Sequence, residues 1–205
     1  LCRDQIRAAD HVATPGCYPT AALLALSPLV RSGAVATEGI IVDAASGASG
    51  AGRPPKPGTT FCTVDEDFTA YGLLDHRHTP EIEQLLGASV LFTPHLAPMS
   101  RGILATCYVR PTAPTSTGAL LDCLRGAYEG EPFVVVTDGS PSTKATLGSN
   151  CAHLTVRYDE RTGWVLAIAA IDNLTKGASG AAVQCANLLL GLPEATGLPT
   201  VGVYP

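Results

Sequence analysis

Charge is scarce in this chain: only 15% of its 205 residues are Asp, Glu, Lys or Arg, and the formal net charge is -5. That balance supplies no basic stripe for a polyanion, so nucleic acid is not an expected partner. Long apolar runs are missing as well. Stretches such as Val165-Leu166-Ala167-Ile168-Ala169-Ala170-Ile171 are strand-sized and far short of a membrane span, so no membrane is expected either. The seven cysteines are an odd number without a regular framework, and no two have C-x-x-C spacing. Zinc ribbons and disulfide scaffolds are thereby disfavoured, and a cytoplasmic, reducing location fits best. Methionine occurs once, at Met99, and the chain opens on Leu1-Cys2-Arg3 with no signal peptide, from which we expect a part of a longer protein. What is present is a globular composition, 46% hydrophobic and rich in Gly and Pro, with a length that suits one large domain.

Several segments have readable local structure. Pro15-Gly16-Cys17-Tyr18-Pro19-Thr20 turns and opens a helix over Ala21 to Leu26, and Pro19 is tolerated in a first helical turn because its missing N–H is not needed there. Gly39 to Ala44 reads as a buried strand running into the loop Ser46-Gly47-Ala48-Ser49-Gly50-Ala51-Gly52-Arg53. The prolines of Pro54 to Gly58 predict an extended surface segment. Thr79 as cap, Pro80 at the first position and Glu81 near the positive end of the dipole predict a helix. Strands are expected at Ser89 to Leu96, Ile103 to Val109 and Phe133 to Val136, and a helix from Ser116 to Tyr128. A hairpin should join Leu154–Tyr158 to Trp164–Ile168 through Asp159 to Gly163, and Gly177 to Leu192 has helical composition. Strands and helices do not alternate regularly, so the expected class is α+β.

Cys17 is the leading candidate for chemistry. The free amides and dipole of a helix start favour a thiolate, although most free cysteines are inert small hydrophobes. His76 and His78, two apart in an extended segment, would share one face with Arg77 pointing away; either could serve as acid or base beside the thiol, or merely solvate a loop. No third ligand stands at a recognised spacing, so no metal site is assigned. The Gly47-x-x-Gly50-x-Gly52 run matches neither the dinucleotide fingerprint nor a P-loop; it could form an amide-lined concavity for phosphate or simply reverse the chain. Arg101, at the mouth of a strand, could grip a carboxylate or phosphate, as could Lys144, and Asp172-Asn173 closes the last strand.

Taken in order, these segments resemble the N-acetyl-gamma-glutamyl-phosphate reductases of the semialdehyde dehydrogenase family. The resemblance rests on Pro15 to Ala21, Ser46 to Arg53, Tyr71 through His76-Arg77-His78-Thr79-Pro80-Glu81-Ile82, Phe92 to Ile103, and Asp172 to Ala178. It implies an α+β domain over residues 1–205: a mixed, largely antiparallel β-sheet with helices packed on one face, like the glyceraldehyde-3-phosphate dehydrogenase C-terminal domain. It further implies NADPH-dependent reduction of an acyl phosphate to a semialdehyde in arginine biosynthesis, with release of phosphate, in a homodimer or homotetramer. On this resemblance Cys17 is the nucleophile, His76 moves the proton, and His78 and Glu81 orient it or touch substrate. Arg101 and Tyr71 meet the substrate, and Ser46, Gly47, Ser49, Gly50 and Asn173 meet NADP. The family's amino-terminal Rossmann domain has no counterpart before Cys17. The chain alone is therefore expected to be inactive, with the Gly177–Leu192 helix left to pack on that other domain. The rival readings are an aspartate-semialdehyde dehydrogenase-like enzyme, a cysteine hydrolase using Cys17, a histidine and Asn173, and a non-catalytic dimerisation module.

Overall fold

The computed structural model describes residues 1–54 and 56–204. Seven strands form one sheet: β1 (Ile40–Gly47), β2 (Thr69–Ala70), β3 (Val90–Ala97), β4 (Ile103–Val109), β5 (Val134–Val136), β6 (Ala152–Asp159) and β7 (Trp164–Ile171). Their spatial order is β2-β3-β1-β4-β7-β6-β5. The β1–β3 and β5–β6 pairs are parallel and the remaining neighbours antiparallel, so the mixed, largely antiparallel sheet expected from the sequence is present. The β6–β7 hairpin pairs Asp159 with Trp164 and Thr155 with Ile168.

Alternation of side chains sorts the sheet into two faces. Val42, Ala44, Ile103, Ala105, Cys107, Val165, Ala167 and Ala169 are buried on one of them, under the central helix α2 (Cys17–Arg31). The shorter α4 (Thr79–Leu86) and α5 (Thr117–Ala127) flank it on the same layer, and α1 (Arg3–Arg7), α3 (Phe61–Val64) and α6 (Thr143–Thr146) are short helical turns elsewhere in the chain. Every residue of α2 from Tyr18 to Leu29 is buried, which is why this helix lacks a polar stripe. Pro28 within it cannot donate to Leu24, and the Tyr128 hydroxyl donates to that free Leu24 carbonyl at 2.7 Å instead. The other sheet face stays half-covered. Ile41, Leu104, Tyr108, Trp164, Leu166 and Ile168 are partly exposed there and Leu91 is 50% exposed.

Three local expectations are corrected. Thr79 is not a cap: the turn in which its N–H donates to the His76 carbonyl leads directly into α4, so Thr79 is the first helical residue and His78 occupies the cap. Of the Pro54–Gly58 segment, Pro55 lies outside the described residues, and Pro57–Thr59 form an exposed 3-10 turn rather than an extended run. The last helix is interrupted at its start: Thr175–Ser179 form a π-helical turn, and the α-helix proper, α7, spans Gly180–Leu189. It stops there because Gly191 adopts φ +67° and Pro193 follows. Val183, Leu189, Leu190 and Leu192 remain exposed, and no described helix is long and apolar enough to cross a membrane.

Candidate active site

Cys17 is the first residue of α2, and Gly16 is its cap. The Gly16 N–H donates to Glu81 Oε1 at 2.8 Å, so a carboxylate from α4 holds the backbone immediately before the thiol. From the opposite side the π-helical turn presses on it: a methyl group at Gly177 would lie 2.9 Å from Cys17 Cβ. Cys17 is thus gripped by two glycines whose neighbours leave no room for a side chain. Its half-buried position pushes the thiol up, and the amides of Tyr18 and Cys17 together with the Arg77 charge only partly counter this. The helix start therefore does not make a thiolate on its own, contrary to the expectation from sequence. Burial outweighs it.

Two imidazoles lie beside this turn. His78 is only 7% exposed and its Nε2 packs on Gly16 so tightly that a methyl group there would stand 2.3 Å from it. Burial first, then the neighbouring His76 and Arg77, lowers His78 to about 4, so it is neutral at pH 7. His76 is lowered as well, by burial and Arg77 against the pull of Asp75. The two imidazoles do share one pocket, with ring centroids 4.8 Å apart, although the segment is a turn rather than a strand. The His78 N–H donates to His76 Nδ1 at 3.2 Å, which leaves the proton of a neutral His76 on Nε2. Tyr18, Phe92 and Tyr71 close around His76 edge-on at 5.8, 5.4 and 5.5 Å. The Tyr71 hydroxyl donates to that of Tyr18 at 3.1 Å, and Tyr18 donates to the His95 carbonyl at 2.9 Å. Burial pushes both phenols up, so they act as neutral groups.

The remaining singled-out residues meet one another more than they meet Cys17. Asp172, fully buried at the end of β7, accepts from Arg101 Nη2 at 2.8 Å and from the amides of Gly148, Leu174 and Thr175 at 2.7, 2.8 and 3.1 Å. Burial alone would raise its carboxyl, but these donors hold it below the ordinary carboxylate range. Asn173 accepts from the Gly102 amide at 2.7 Å and donates to Ser49 Oγ at 3.0 Å, so both ends of its side chain are engaged. Ser46 donates to the Gly47 carbonyl at 3.1 Å. Gly47 is backed by Ser100 and Arg101, where a methyl group would lie 2.7 Å from the Arg101 nitrogen, and one at Gly50 would lie 2.6 Å from Ser46 Oγ. The amide-lined concavity considered for this loop does not form. The amides of Gly47, Ala48, Ser49 and Gly52 donate to the carbonyls of Gly102, Met99, Ser100 and Ser49 at 2.9, 2.9, 3.2 and 3.2 Å, folding the loop as a 3-10 turn.

Sequence reasoning had no means of finding Gly16 and Gly177 as spacers around the thiol. Gly16 adjoins Cys17 and was at least in view, whereas nothing local distinguishes Gly177. Its role comes from a contact 160 positions away along the chain, created when β7 delivers the π-turn onto α2.

The model of the family "Semialdehyde dehydrogenase, dimerisation domain" matches residues 17–173. N-acetyl-gamma-glutamyl-phosphate reductase from Symbiobacterium thermophilum is 53% identical over 215 aligned residues, covering 100% of this chain and 62% of that protein. The protein of the same name from Rhodopirellula baltica is 49% identical, covering 95% and 59%. The chain thus spans about 60% of the length of these curated relatives. Among solved structures, aspartate semialdehyde dehydrogenase II from Vibrio cholerae superposes with a TM-score of 0.74 at 19% identity, over 93% of this chain and 66% of the other, which establishes a shared fold.

Proposed function

The chain belongs to the semialdehyde dehydrogenase family, as its dimerisation domain, and from that premise we propose that it carries the catalytic thiol of an N-acetyl-gamma-glutamyl-phosphate reductase. The observation that carries this reading is the packing of the neutral His78 imidazole on Gly16, one residue before a helix-start cysteine. Relatives of that name at about half identity over nearly all of this chain supply the substrate class.

In this reading His78, rather than His76, takes the Cys17 proton. The Cys17 sulfur then attacks the acyl carbon, the carbon–oxygen bond to phosphate breaks, and phosphate leaves with the bond pair. A thioester on Cys17 remains. A bound NADPH would supply the hydride for reducing this thioester to the semialdehyde, and the Cys17 thiolate would be the leaving group. The amides of Cys17 and Tyr18, which pull the thiol down against its burial, would stabilise the sulfur both when it attacks and when it departs. Glu81 acts through the backbone, fixing Gly16 and hence the thiol, and Tyr71 and Tyr18 wall the pocket around His76. Arg101 and Asn173 hold the surrounding loops together.

The amides of Gly47, Ala48, Ser49 and Gly52 are bonded within the chain and so are not free to cradle the phosphates of a dinucleotide. We therefore place the grip on NADPH in groups other than these, and propose that these 205 residues by themselves have no reductase activity. The half-covered sheet face, with Ile41, Tyr108, Trp164 and Leu166 lining an open depression, is our candidate for the surface that pairs two copies.

Incubating this chain with N-acetyl-gamma-glutamyl phosphate and no NADPH should add one acyl group, located on Cys17 by peptide mass and absent in Cys17→Ser. In a full-length reductase bearing this segment, Cys17→Ser should abolish phosphate-dependent NADP reduction by the semialdehyde. Retained activity would overturn the proposal.

A further inference from the structure

One buried lysine adjoins the thiol's contact residue, and nothing in the acyl-transfer scheme uses it. Lys176 precedes Gly177, which packs on Cys17, and is itself only 8% exposed. Its Nζ donates to Gln184 Oε1 at 2.8 Å, its one hydrogen-bond partner among the described residues, and stands 5.4 Å from the centre of the Phe133 ring. An ammonium with three donors and one acceptor is costly to bury, and burial accordingly pulls its pKa below the ordinary lysine value. The best-attested use of such a group is to fix a register.

The register here is that of the turn in which Lys176 sits. The amides of Gly177 and Ser179 donate to carbonyls five residues back, those of Asp172 and Leu174, each at 3.0 Å, and Gly180 donates likewise to Thr175. Beyond Gly180, α7 is regular α-helix, so Lys176 and Gln184 lie on either side of the change in winding. One residue more or less in that turn rotates what precedes it by about 100° relative to α7. Annealing to a plain α-helix would therefore swing Lys176 off Gln184 and Gly177 off Cys17 together. Asp172 fixes the start of the turn through the Leu174 and Thr175 amides, and Lys176 is the tether beyond them. The far end of that tether is held in place. Gln184 Oε1 also accepts from Asn150 Nδ2 at 3.1 Å, its Nε2 donates to Glu194 Oε1 at 2.5 Å, and Glu194 accepts from Arg3 Nε at 2.6 Å. The amide orientation is thus set, oxygen toward Lys176 and nitrogen toward Glu194.

We infer that Lys176 is a positioning residue of the thiol site, pinning the π-turn through Gln184 in the register that sets Gly177 against Cys17. Its effect on turnover rests on the proposed function, whereas its effect on access to the sulfur does not.

The test uses alkylation of Cys17 by iodoacetamide in this chain, with the exposed Cys2 and Cys62 replaced by Ser and the label located by peptide mass. Lys176→Met keeps the apolar stem and removes the donor, and Gln184 Oε1 retains Asn150, so no buried acceptor is stranded. Gln184→Met breaks the same bond from the other side, and either variant suffices where the other does not fold. Each should speed alkylation of Cys17 at least about threefold, the lower reach of coupling within one network, and the double variant should match the larger single effect rather than their product. Arg3→Gln loses two carboxylate partners but leaves the Lys176–Gln184 bond in place, so it should lower the unfolding midpoint and keep the parent Cys17 rate. In the full-length enzyme, Lys176→Met should lower kcat about ten- to a hundredfold with KM changed by less than about twofold. A folded Lys176→Met or Gln184→Met chain whose Cys17 reacts at the parent rate would overturn the inference. Multiplying effects in the double variant, an equal effect of Arg3→Gln, or an unchanged kcat in an active full-length enzyme would do the same. A faster Cys17 in a chain that forms no thioester would uphold the pin and refute instead the acyl-transfer role of the thiol.

Discussion

Replacing Asp172 by Asn tests the scaffold beneath the site. Each carboxylate oxygen takes two donors, Arg101 Nη2 and the Gly148 amide on Oδ2, the Leu174 and Thr175 amides on Oδ1. Whichever way an amide side chain turns, two N–H groups will face its NH2 group. Breaking a buried charge pair from one side costs about 3–5 kcal/mol. Asp172 is fully covered, but the Arg101 side chain is 33% exposed and water can reach it, so the low end, about 3 kcal/mol, applies. For a chain of 205 residues that corresponds to a Tm roughly 6–12 °C lower. Urea unfolding at pH 7 and one fixed protein concentration would measure it. The pH dependence provides a second check. Because the folded carboxyl is held below its unfolded value, its stabilisation is complete above that value and disappears as pH falls through the lower, folded one. The gap between parent and variant should thus hold down to about pH 4 and shrink below it. A difference under about 1 kcal/mol at pH 7, or a gap constant through the acid range, would refute the account of Asp172 as a buried four-donor hub.

Other predictions concern the pocket and the sheet. Gly16→Ala must displace the imidazole it touches, so kcat of the full-length enzyme should fall at least about a hundredfold while Cys17 still reacts with iodoacetamide; near-normal kcat would break the link between His78 and Gly16. His78, lowered to about 4 when folded, costs stability as pH drops from about 6.5 toward 4, because the unfolded chain binds the proton first. Urea titrations should show this acid-side loss reduced in His78→Gln, and an unchanged slope would count against a buried neutral imidazole. Leu166→Asp on the half-covered sheet face should shift the chain to monomers in sedimentation equilibrium without unfolding it; undiminished association would place the interface elsewhere.

Local patterning explains why much of the fold was readable. The Ile103 to Val109 strand was legible to the residue because one buried face forces strict alternation, and the hairpin at Asp159 to Gly163 because its turn follows from glycine at φ +69°. The helix expected from Ser116 begins at Thr117, with Ser116 as its cap accepting from the Ala119 amide at 3.2 Å. The π-turn at Thr175–Ser179 was not legible. Its composition is that of an ordinary helix, and its geometry answers to Asp172 and to the Cys17 backbone rather than to propensity.

For the site, the sequence by itself determined the residue types that can do the chemistry: a thiol at a helix start, two histidines near a helix cap, a carboxylate one turn on, and the strand-end pair Asp172-Asn173. Those are local facts, carried by turn and helix chemistry within a few residues. Tertiary structure alone decided how these groups share the work. It set His78 rather than His76 against the backbone before Cys17, and tied Arg101 to Asp172. It also reversed the expectation for the thiol, since a helix start favours the thiolate but burial favours the thiol, and burial is a property of the packed chain.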